Sequence, residues 1–215
     1  MTLMTKRETV EVMEKLRDRY PDARCALNFT TPFELLIATM LSAQCTDVRV
    51  NIVTEWLFKK YHGPEDFASV SPEELQEDIR DVGLFRNKAQ NIIAASQLLL
   101  EKYGGVVPAD REALMSLPGV GRKTANVVLS NAFDIPALAV DTHVLRVSNR
   151  IGLANSDSPD ETEQLICRRV PKDMWSQAHH WLIHHGRQIC AARKPKCEAC
   201  PITSHCQYYR RHHKA

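Results

Sequence analysis

The sequence has no long apolar segment, and this absence argues against one class of protein. None of its apolar runs approaches the roughly 20 residues that a helix needs to cross a bilayer. The first residues, MTLMTKRETVEV, lack the apolar core and small-residue cleavage site of a secretory signal. With 44% hydrophobic and 25% charged residues, the composition is typical of a soluble globular protein. We therefore expect a protein without membrane contact, in the cytoplasm of a prokaryotic-type cell.

Strand signals are scarce, whereas helix starts recur. No hairpin dipeptide is flanked by alternating apolar residues. The segments TPFE at 31–34, SPEE at 71–74 and SPDE at 158–161 each combine an N-cap residue, a proline at the first helical position and a glutamate that completes a capping box. Leu75, Ile79 and Val82 then share one helix face, with Gly83 as the stop. The sequence predicts an all-α fold with short loops.

Two longer segments carry apolar stripes at helical spacing. Residues 47–61 and 86–103 are predicted as helices, and their stripes are interpreted as core. These stripe residues are Val53, Trp56, Leu57, Tyr61, Ile92, Ser96, Leu99 and Leu100.

Seven cysteines in a cytosolic chain favour metal or redox chemistry over a disulfide framework. Four of them, Cys190, Cys197, Cys200 and Cys206, follow one another as C-x6-C-x2-C-x5-C. Four thiolates this close suit one cubic iron–sulfur cluster or one tetrahedral zinc, and the spacing alone leaves both open. Two disulfides are the remaining alternative. The scattered Cys25, Cys45 and Cys167 are interpreted as small apolar residues.

Four histidines on one predicted helix raise a second metal hypothesis. Among His179, His180, His184 and His185, the pair His180 and His184 has the i, i+4 spacing of metal ligands. No carboxylate completes an H-E-x-x-H pattern, so a structural role is favoured.

The segment LPGVGRKTAN at 117–126 predicts a helix-hairpin-helix. A helix from about Asp110 is stopped by Pro118, turned by Gly119 and Gly121, and followed by a second helix through Ala132. Outward-facing backbone N–H groups and the positive end of the second helix then suit a phosphate. A plain tight turn is the alternative. A phosphate loop or dinucleotide fold is excluded, because the G-K-[ST] ending and a preceding strand are both missing.

Lys123 and Asp141 are candidates for chemistry. Lys123 falls in the first turn of the second helix, where the helix dipole, together with desolvation in a pocket, would favour a neutral nucleophilic amine. Such an amine can attack a sugar C1′ and leave a Schiff base; a phosphate contact is the alternative role. Asp141 begins the segment VDTHVLRV, where it caps a helix or accepts the proton of the amine.

Together, LPGVGRKTAN, VDTH, LSAQCTD and the four-cysteine loop resemble the endonuclease III family, the bifunctional DNA glycosylases of the helix-hairpin-helix superfamily. The resemblance spans nearly the whole chain. It implies a six-helix barrel with the hairpin at 24–134 and a discontinuous domain at 1–23 and 135–215 that carries a 4Fe-4S cluster. It also implies a monomer that removes oxidised pyrimidines from damaged double-stranded DNA and then cleaves the abasic site, associated with the nucleoid.

The same resemblance implies roles for individual residues. Lys123 is the implied nucleophile and Asp141 its acidic partner, while the four cysteines hold the cluster. The implied DNA contacts are Gln44 and Leu84, which fill the gap left by a flipped nucleotide, the hairpin residues Gly119, Val120 and Gly121, and more weakly His143 and Lys194.

Two alternatives to this activity are weighed. The related adenine-mispair glycosylase uses a glutamate before the gap-filling glutamine, but this chain has no carboxylate between Glu34 and Asp47, and it has Lys123. A non-catalytic DNA-binding module would use the hairpin and cluster only for grip. Under that interpretation Lys123 is a phosphate contact and Asp141 a helix cap.

Overall fold

The described part of the chain, residues 3–212 of a computed structural model, contains helices and no strand. This confirms the predicted all-α fold. The helices are α1 (Lys6–Arg19), α2 (Pro32–Leu41), α3 (Asp47–Lys60), α4 (Pro64–Ser69), α5 (Pro72–Asp78), α6 (Phe85–Tyr103), α7 (Arg111–Met115), α8 (Arg122–Ala132), α9 (Thr142–Ile151), α10 (Pro159–Cys167), α11 (Trp175–Gln188) and α12 (Gln207–His212). Short 3-10 helices span Lys172–Met174 and Cys197–Ala199. None of the helices in the described residues is both long and apolar enough to cross a membrane.

The chain divides into two compact units. The continuous unit is Cys25–Ile135, and the discontinuous unit combines the residues before Cys25 with those from Pro136 onward. In the continuous unit α2 is almost entirely buried, from Phe33 to Leu41, and packs against α3, α6 and α8. Helix α6 also packs against α4 and α5, and α7 packs against α8. The position of α8, and with it the hairpin, therefore depends on the buried helix α2.

The discontinuous unit is built on contacts between helices far apart in the chain. Helix α11 packs against α1 and α9, and α9 also contacts α10 and α12. Its core includes Val12, Met13, Leu16, Val144, Val147, Ile151 and Leu182, all almost completely buried. A buried hydrogen bond of 3.1 Å joins Tyr20 Oη, just after α1, to His185 Nδ1 on α11.

The three predicted capping boxes form only one of their two hydrogen bonds. Thr31, Ser71 and Ser158 accept from the backbone N–H three residues on, as predicted. The return bond fails because each glutamate has another partner: Glu34 accepts from Thr30, Glu74 pairs with Lys60 and Glu161 accepts from the Ser156 hydroxyl. A complete capping box forms at α1, between Thr5 and Glu8, which the sequence analysis did not single out.

Two sequence predictions about helix faces need correction. Helix α5 ends at Asp78, short of Gly83, yet Leu75, Ile79 and Val82 are all buried because the turns after α5 continue the apolar face. Trp56 is not core, since 40% of it is exposed. On α3 it continues an exposed line of Val48 and Ile52 at four-residue spacing, while Val53 and Leu57 occupy the buried face.

Candidate active site

The predicted helix-hairpin-helix is formed by α7 and α8 with the turn between them. Gly119 in this turn has φ 77°, a left-handed conformation that strongly favours glycine. A Cβ at Gly119 would also lie 2.7 Å from Asn91 Cβ on α6. The turn therefore needs glycine both for its backbone angle and for its close approach to α6.

The backbone donors of the turn are divided between its interior and its surface. Val120 is buried, and its N–H donates to the Leu117 carbonyl at 3.1 Å. The N–H groups of Gly119 and Gly121 have no acceptor within residues 3–212. Gly121 is the N-cap of α8, which has no side-chain cap. An anion at this turn would therefore meet Gly119, Gly121 and the first turn of α8, while Val120 fills the interior.

Lys123 lies in the first turn of α8, as predicted, but its side chain is exposed. The desolvation expected for its amine is therefore absent from the protein alone and would have to come from bound substrate. The Cys25 thiol is close enough to Lys123 and Asp47 for both charges to affect its pKa. Burial raises this pKa and Asp47 raises it too, whereas a backbone N–H and Lys123 lower it. Lys123, Cys25 and Asp47 thus occupy one region of the continuous unit.

Asp141 is the N-cap of α9 in the discontinuous unit. Its Oδ1 accepts from the Val144 N–H at 2.7 Å, and the residue is half-buried. Its other oxygen, Oδ2, has no partner within the described part of the chain. Asp141 therefore caps α9, which is one of the two roles considered for it, and the cap uses only one of its two carboxylate oxygens.

His143 follows in the first turn of α9 and is held by Arg146. Arg146 Nη2 lies 3.1 Å from His143 Nδ1 and also donates to the Gly186 carbonyl at 2.8 Å. The Nε of Arg146 donates to the Cys190 carbonyl at 3.1 Å. The side chain beside Asp141 is therefore tied to the start of the four-cysteine loop.

Gln44 and Leu84 both lie exposed on turns of the continuous unit. Each has a left-handed backbone, with φ 53° at Gln44 and φ 60° at Leu84, which is uncommon for residues other than glycine. The two turns touch, because a Cβ on Gly83 would be 3.2 Å from the Gln44 carbonyl oxygen. Leu84 is 53% exposed and Gln44 is exposed as well, so both turns present a side chain to solvent.

The four cysteines of the C-terminal loop line one largely apolar cavity. Ile151, Ile189, Pro195 and Tyr209 contribute to the same walls. Burial, together with the charges of the other three sulfurs, raises the pKa of Cys200 to about 11. Burial likewise raises the pKa of Cys197 and of Cys206. No three His, Cys, Asp or Glu side chains of residues 3–212 are placed to hold a single metal ion, so four sulfurs around one cavity suit a larger thiolate-ligated group such as an iron–sulfur cluster.

Polar side chains that the sequence analysis did not assign to the loop support it. Arg150 donates to the carbonyls of Ala191 at 2.6 Å and Ala192 at 2.8 Å, and its Nη1 lies 3.5 Å from Cys190 Sγ. His185 Nε2 lies 3.6 Å from Cys200 Sγ. Between the first two cysteines, Lys194 is exposed with φ 50°. The Arg150 hydrogen bonds therefore hold the backbone of the loop that carries the exposed Lys194.

The remaining histidines of α11 have structural surroundings. His179 and His180 are buried, with ring centroids 3.9 Å apart. Burial, together with the nearby His184, lowers the pKa of His180 to about 4.

One buried residue near the candidate site was missed by the sequence analysis. Lys88, on α6, is only 6% exposed, and its Nζ donates to the carbonyls of Leu41 at 2.8 Å and Ala43 at 2.6 Å. The available signal was its position four residues before Ile92, on the apolar stripe of α6.

Comparison with known proteins defines the class to which this fold and site belong. Residues 37–172 match the model of the HhH-GPD superfamily of base excision DNA repair proteins. Residues 190–206 match the iron-sulfur binding domain of endonuclease III. The second match favours iron over zinc in the four-cysteine loop.

Individual relatives narrow the class further. Endonuclease III of Bacillus subtilis strain 168 is 54% identical over 196 residues, covering 91% of this chain and 90% of the relative. Endonuclease III of Escherichia coli K12 is 46% identical over 205 residues, covering 95% and 97%.

Solved structures give the same result. A trapped endonuclease III–DNA covalent intermediate superimposes with a TM-score of 0.93 at 50% identity, covering 97% of this chain and 99% of its own. A thermostable thymine-DNA glycosylase gives a TM-score of 0.87 at 28% identity, covering 95% and 98%. The chain belongs to the endonuclease III family. It is therefore a DNA glycosylase with abasic-site lyase activity in base excision repair, and its C-terminal loop is an iron–sulfur site.

Proposed function

We propose that this protein removes oxidised pyrimidines from damaged double-stranded DNA and cleaves the resulting abasic site by β-elimination, acting as a monomer on the nucleoid. The observation that carries the proposal is a lysine in the first turn of the hairpin's second helix, two residues after the second glycine of the turn. A phosphate contact alone would not need this lysine, because Gly119 and Gly121 already offer unpaired N–H groups.

Lys123 is the proposed nucleophile. Its neutral amine forms a bond to C1′ of the damaged nucleotide as the C1′–N bond breaks, and the base leaves with the bonding electrons and takes up a proton. Ring opening gives an imine, and loss of the C2′ proton then expels the 3′ phosphate. Hydrolysis of the imine frees the lysine. Exposure of Lys123 in the protein alone leaves the amine open to the incoming sugar.

Asp141 is the proposed acidic partner. Its carboxylate accepts the proton that the lysine ammonium must lose, and its negative charge stabilises the positive charge that develops on the sugar. Oδ1 is used for the α9 cap, so Oδ2 is the atom assigned to this chemistry. The cap hydrogen bond fixes the direction of the carboxylate, and the resemblance of VDTH to the family motif supports the role.

DNA is held mainly by backbone donors in this proposal. Gly119 and Gly121 bind a phosphate together with the first turn of α8, and Val120 supports the turn from within. His143 and Lys194 add contacts from the discontinuous unit, with Lys194 on the cluster loop. Solved endonuclease III–DNA complexes that superimpose on this chain with a TM-score of 0.93 support DNA as the partner.

Gln44 and Leu84 are the proposed gap-filling residues. A base stacked in a duplex cannot present its C1′ to Lys123, so the nucleotide must be flipped out at an unstacking cost of a few kcal/mol. Gln44 hydrogen-bonds the orphaned partner base, and Leu84 wedges between neighbouring bases. The exposure of both side chains, on turns that touch each other, supports this assignment.

The proposed type of the iron–sulfur group is 4Fe-4S, held by Cys190, Cys197, Cys200 and Cys206. When bound, it would cross-link the four cysteines of a loop that Arg146 and Arg150 also hold, and it would supply the positive charge that four thiolates in an apolar cavity require. We assign residues 24–134 to the six-helix barrel domain, and residues 1–23 with 135–215 to the cluster domain. The units divided at Cys25 and Pro136 support that assignment.

The test uses Lys123→Gln on a duplex with thymine glycol, with borohydride present to reduce the imine. The variant should bind DNA but lose the trapped complex, base excision and strand cleavage together, because all three need the amine. Lys102→Gln is the matched control, since Lys102 is an exposed lysine of the same unit outside the candidate site. An undiminished yield of trapped complex in Lys123→Gln would contradict the proposal and make Lys123 a phosphate ligand. A duplex with an adenine mispair tests the alternative activity, because an adenine-mispair glycosylase would remove the mispaired adenine.

A further inference from the structure

Lys88 forms hydrogen bonds to both turns assigned to base extrusion. Its side chain donates to Leu41 O and Ala43 O, and Ala43 immediately precedes Gln44. Its backbone N–H donates to the Leu84 carbonyl at 3.1 Å, in the first turn of α6. Gln44 and Leu84, which are 40 residues apart in sequence, are thus linked through a single amino acid.

The environment of Lys88 shows that this link is specific. Burying an ammonium group is costly unless its protons are hydrogen-bonded, and burial lowers the pKa of Lys88. The observed acceptors are main-chain carbonyls at the end of α2, where the helix leaves carbonyls without partners and favours positive charge. A lysine used only for solubility would extend into water. This one instead closes the C-terminal end of α2 and the first residues of the Gln44 turn.

The backbones of the two turns also need contacts that hold them in place. Gln44 and Leu84 both have left-handed backbones, and Leu84, the N-cap of α6, makes no side-chain cap hydrogen bond. Strained conformations of this kind persist only where surrounding contacts determine them. Such contacts include the Lys88 hydrogen bonds, the close approach of Gly83 to the Gln44 carbonyl, and an ion pair of 3.6 Å between Arg49, just after the first turn, and Asp81, just before the second.

We propose that Lys88 is a positioning residue for base extrusion, which holds the Gln44 turn against the Leu84 turn so that both side chains enter the duplex at a fixed separation. The inference rests on the proposed role of Gln44 and Leu84. Lys88 itself contacts neither DNA nor the reacting atoms. It acts through the geometry of the two residues that replace the flipped nucleotide.

The first test replaces Lys88 by methionine, which keeps most of the unbranched side chain and removes the ammonium group with its three donors. Single-turnover excision of thymine glycol from duplex should fall by roughly ten- to a hundredfold, because small misplacements of positioning groups have effects of this size. Cleavage of an abasic site in single-stranded DNA should be unchanged, since it needs no base extrusion. The fluorescence rise of a 2-aminopurine next to the lesion, which reports unstacking, should slow in parallel. Lys102→Met is the matched control, and Lys88→Arg should restore part of the duplex activity.

A double-mutant cycle distinguishes positioning from general destabilisation. If Lys88 acts through Gln44, then Lys88→Met should have little further effect in a Gln44→Ala background. Independent losses that multiply, or an equal fall on duplex and single-stranded substrates, would overturn the inference.

Gly83→Ala changes the spacing between the Gln44 and Leu84 turns while Lys88 stays in place. This variant tests whether that spacing matters if Lys88→Met does not fold. The added Cβ would lie 3.2 Å from the Gln44 carbonyl and must push the two turns apart by a few tenths of an ångström. We expect the same loss confined to duplex substrate, and unchanged duplex excision would count against the inference. Full excision by both Gln44→Ala and Leu84→Ala would instead refute the proposed extrusion role. A loss in those two variants without a duplex-selective loss in Lys88→Met would refute only the role of Lys88.

Discussion

Asp141 combines a structural task with a proposed chemical one, and two substitutions separate them. Asp141→Ala removes both the cap and the charge, whereas Asp141→Asn keeps an oxygen that can accept from the Val144 N–H, now 2.7 Å from Oδ1. Asparagine is as good an N-cap as aspartate. The asparagine variant therefore tests the charge with the start of α9 intact.

The expected stability changes follow from the cap geometry. Losing an N-cap costs about 1 kcal/mol, and losing a negative charge at a helix N-terminus costs a further ~0.3–1 kcal/mol. For a chain of this size, 1 kcal/mol corresponds to a Tm shift of roughly 2–4 °C. Asp141→Ala should thus lower Tm by about 3–8 °C, and Asp141→Asn by at most about half that.

Activity should follow a different order from stability. Both variants lack the carboxylate that accepts the lysine proton, so both should lose excision of thymine glycol by on the order of 10²-fold or more. Some cleavage of preformed abasic sites should remain, because the nucleophile is intact. The assay pairs thermal unfolding with single-turnover excision at a temperature where all three proteins are folded. Wild-type excision by Asp141→Asn would refute the reasoning and leave Asp141 as a cap alone.

Three other predictions concern the metal site, the hairpin and an acid-sensitive histidine. Cys200→Ala should remove the iron absorbance at roughly 400 nm that an iron–sulfur group gives, and it should destabilise the discontinuous unit. Stoichiometric zinc without iron in the wild type would contradict the assignment of an iron–sulfur group. Gly119→Ala should lower the free energy of unfolding by roughly 1–3 kcal/mol, because Gly119 has φ 77° and the new Cβ would contact Asn91. A urea unfolding curve measures this change. Burial lowers the pKa of His180 from 6.5 to about 4, so its contribution is full above pH 6.5 and is lost as pH falls toward 4. The loss of unfolding free energy is about 3 kcal/mol across that window, and His180→Leu should flatten it; identical acid dependence in both proteins would contradict this.

Local signals predicted the elements that carry the candidate site. The start of α8 at Arg122 and the cap at Asp141 depend on residues within one turn of each, so the sequence contains all the determining partners. The role of Lys88 was not accessible in the same way, because its acceptors, Leu41 O and Ala43 O, lie more than 40 residues away.

The errors have the same physical origin. Helical spacing assigned Trp56 to the core. Trp56 lies beside the buried face of α3, however, and a side chain there is buried only if another element covers it. The capping boxes at α2, α5 and α10 were incomplete because Lys60, Thr30 and Ser156 competed for the glutamates. Only Thr30 and Ser156 are close enough in sequence for a local pattern to have included them.

The division of the chain sets an order of events during synthesis. Helix α1 packs against α11, yet the whole continuous unit, Cys25–Ile135, lies between them in the chain. A ribosome adding 5–20 residues per second needs roughly 6–22 s for those 111 residues. During this interval the apolar face of α1, with Val12, Met13 and Leu16, has no partner helix. The segment made first therefore completes its fold after the segment that follows it, and the loop that binds iron comes later still.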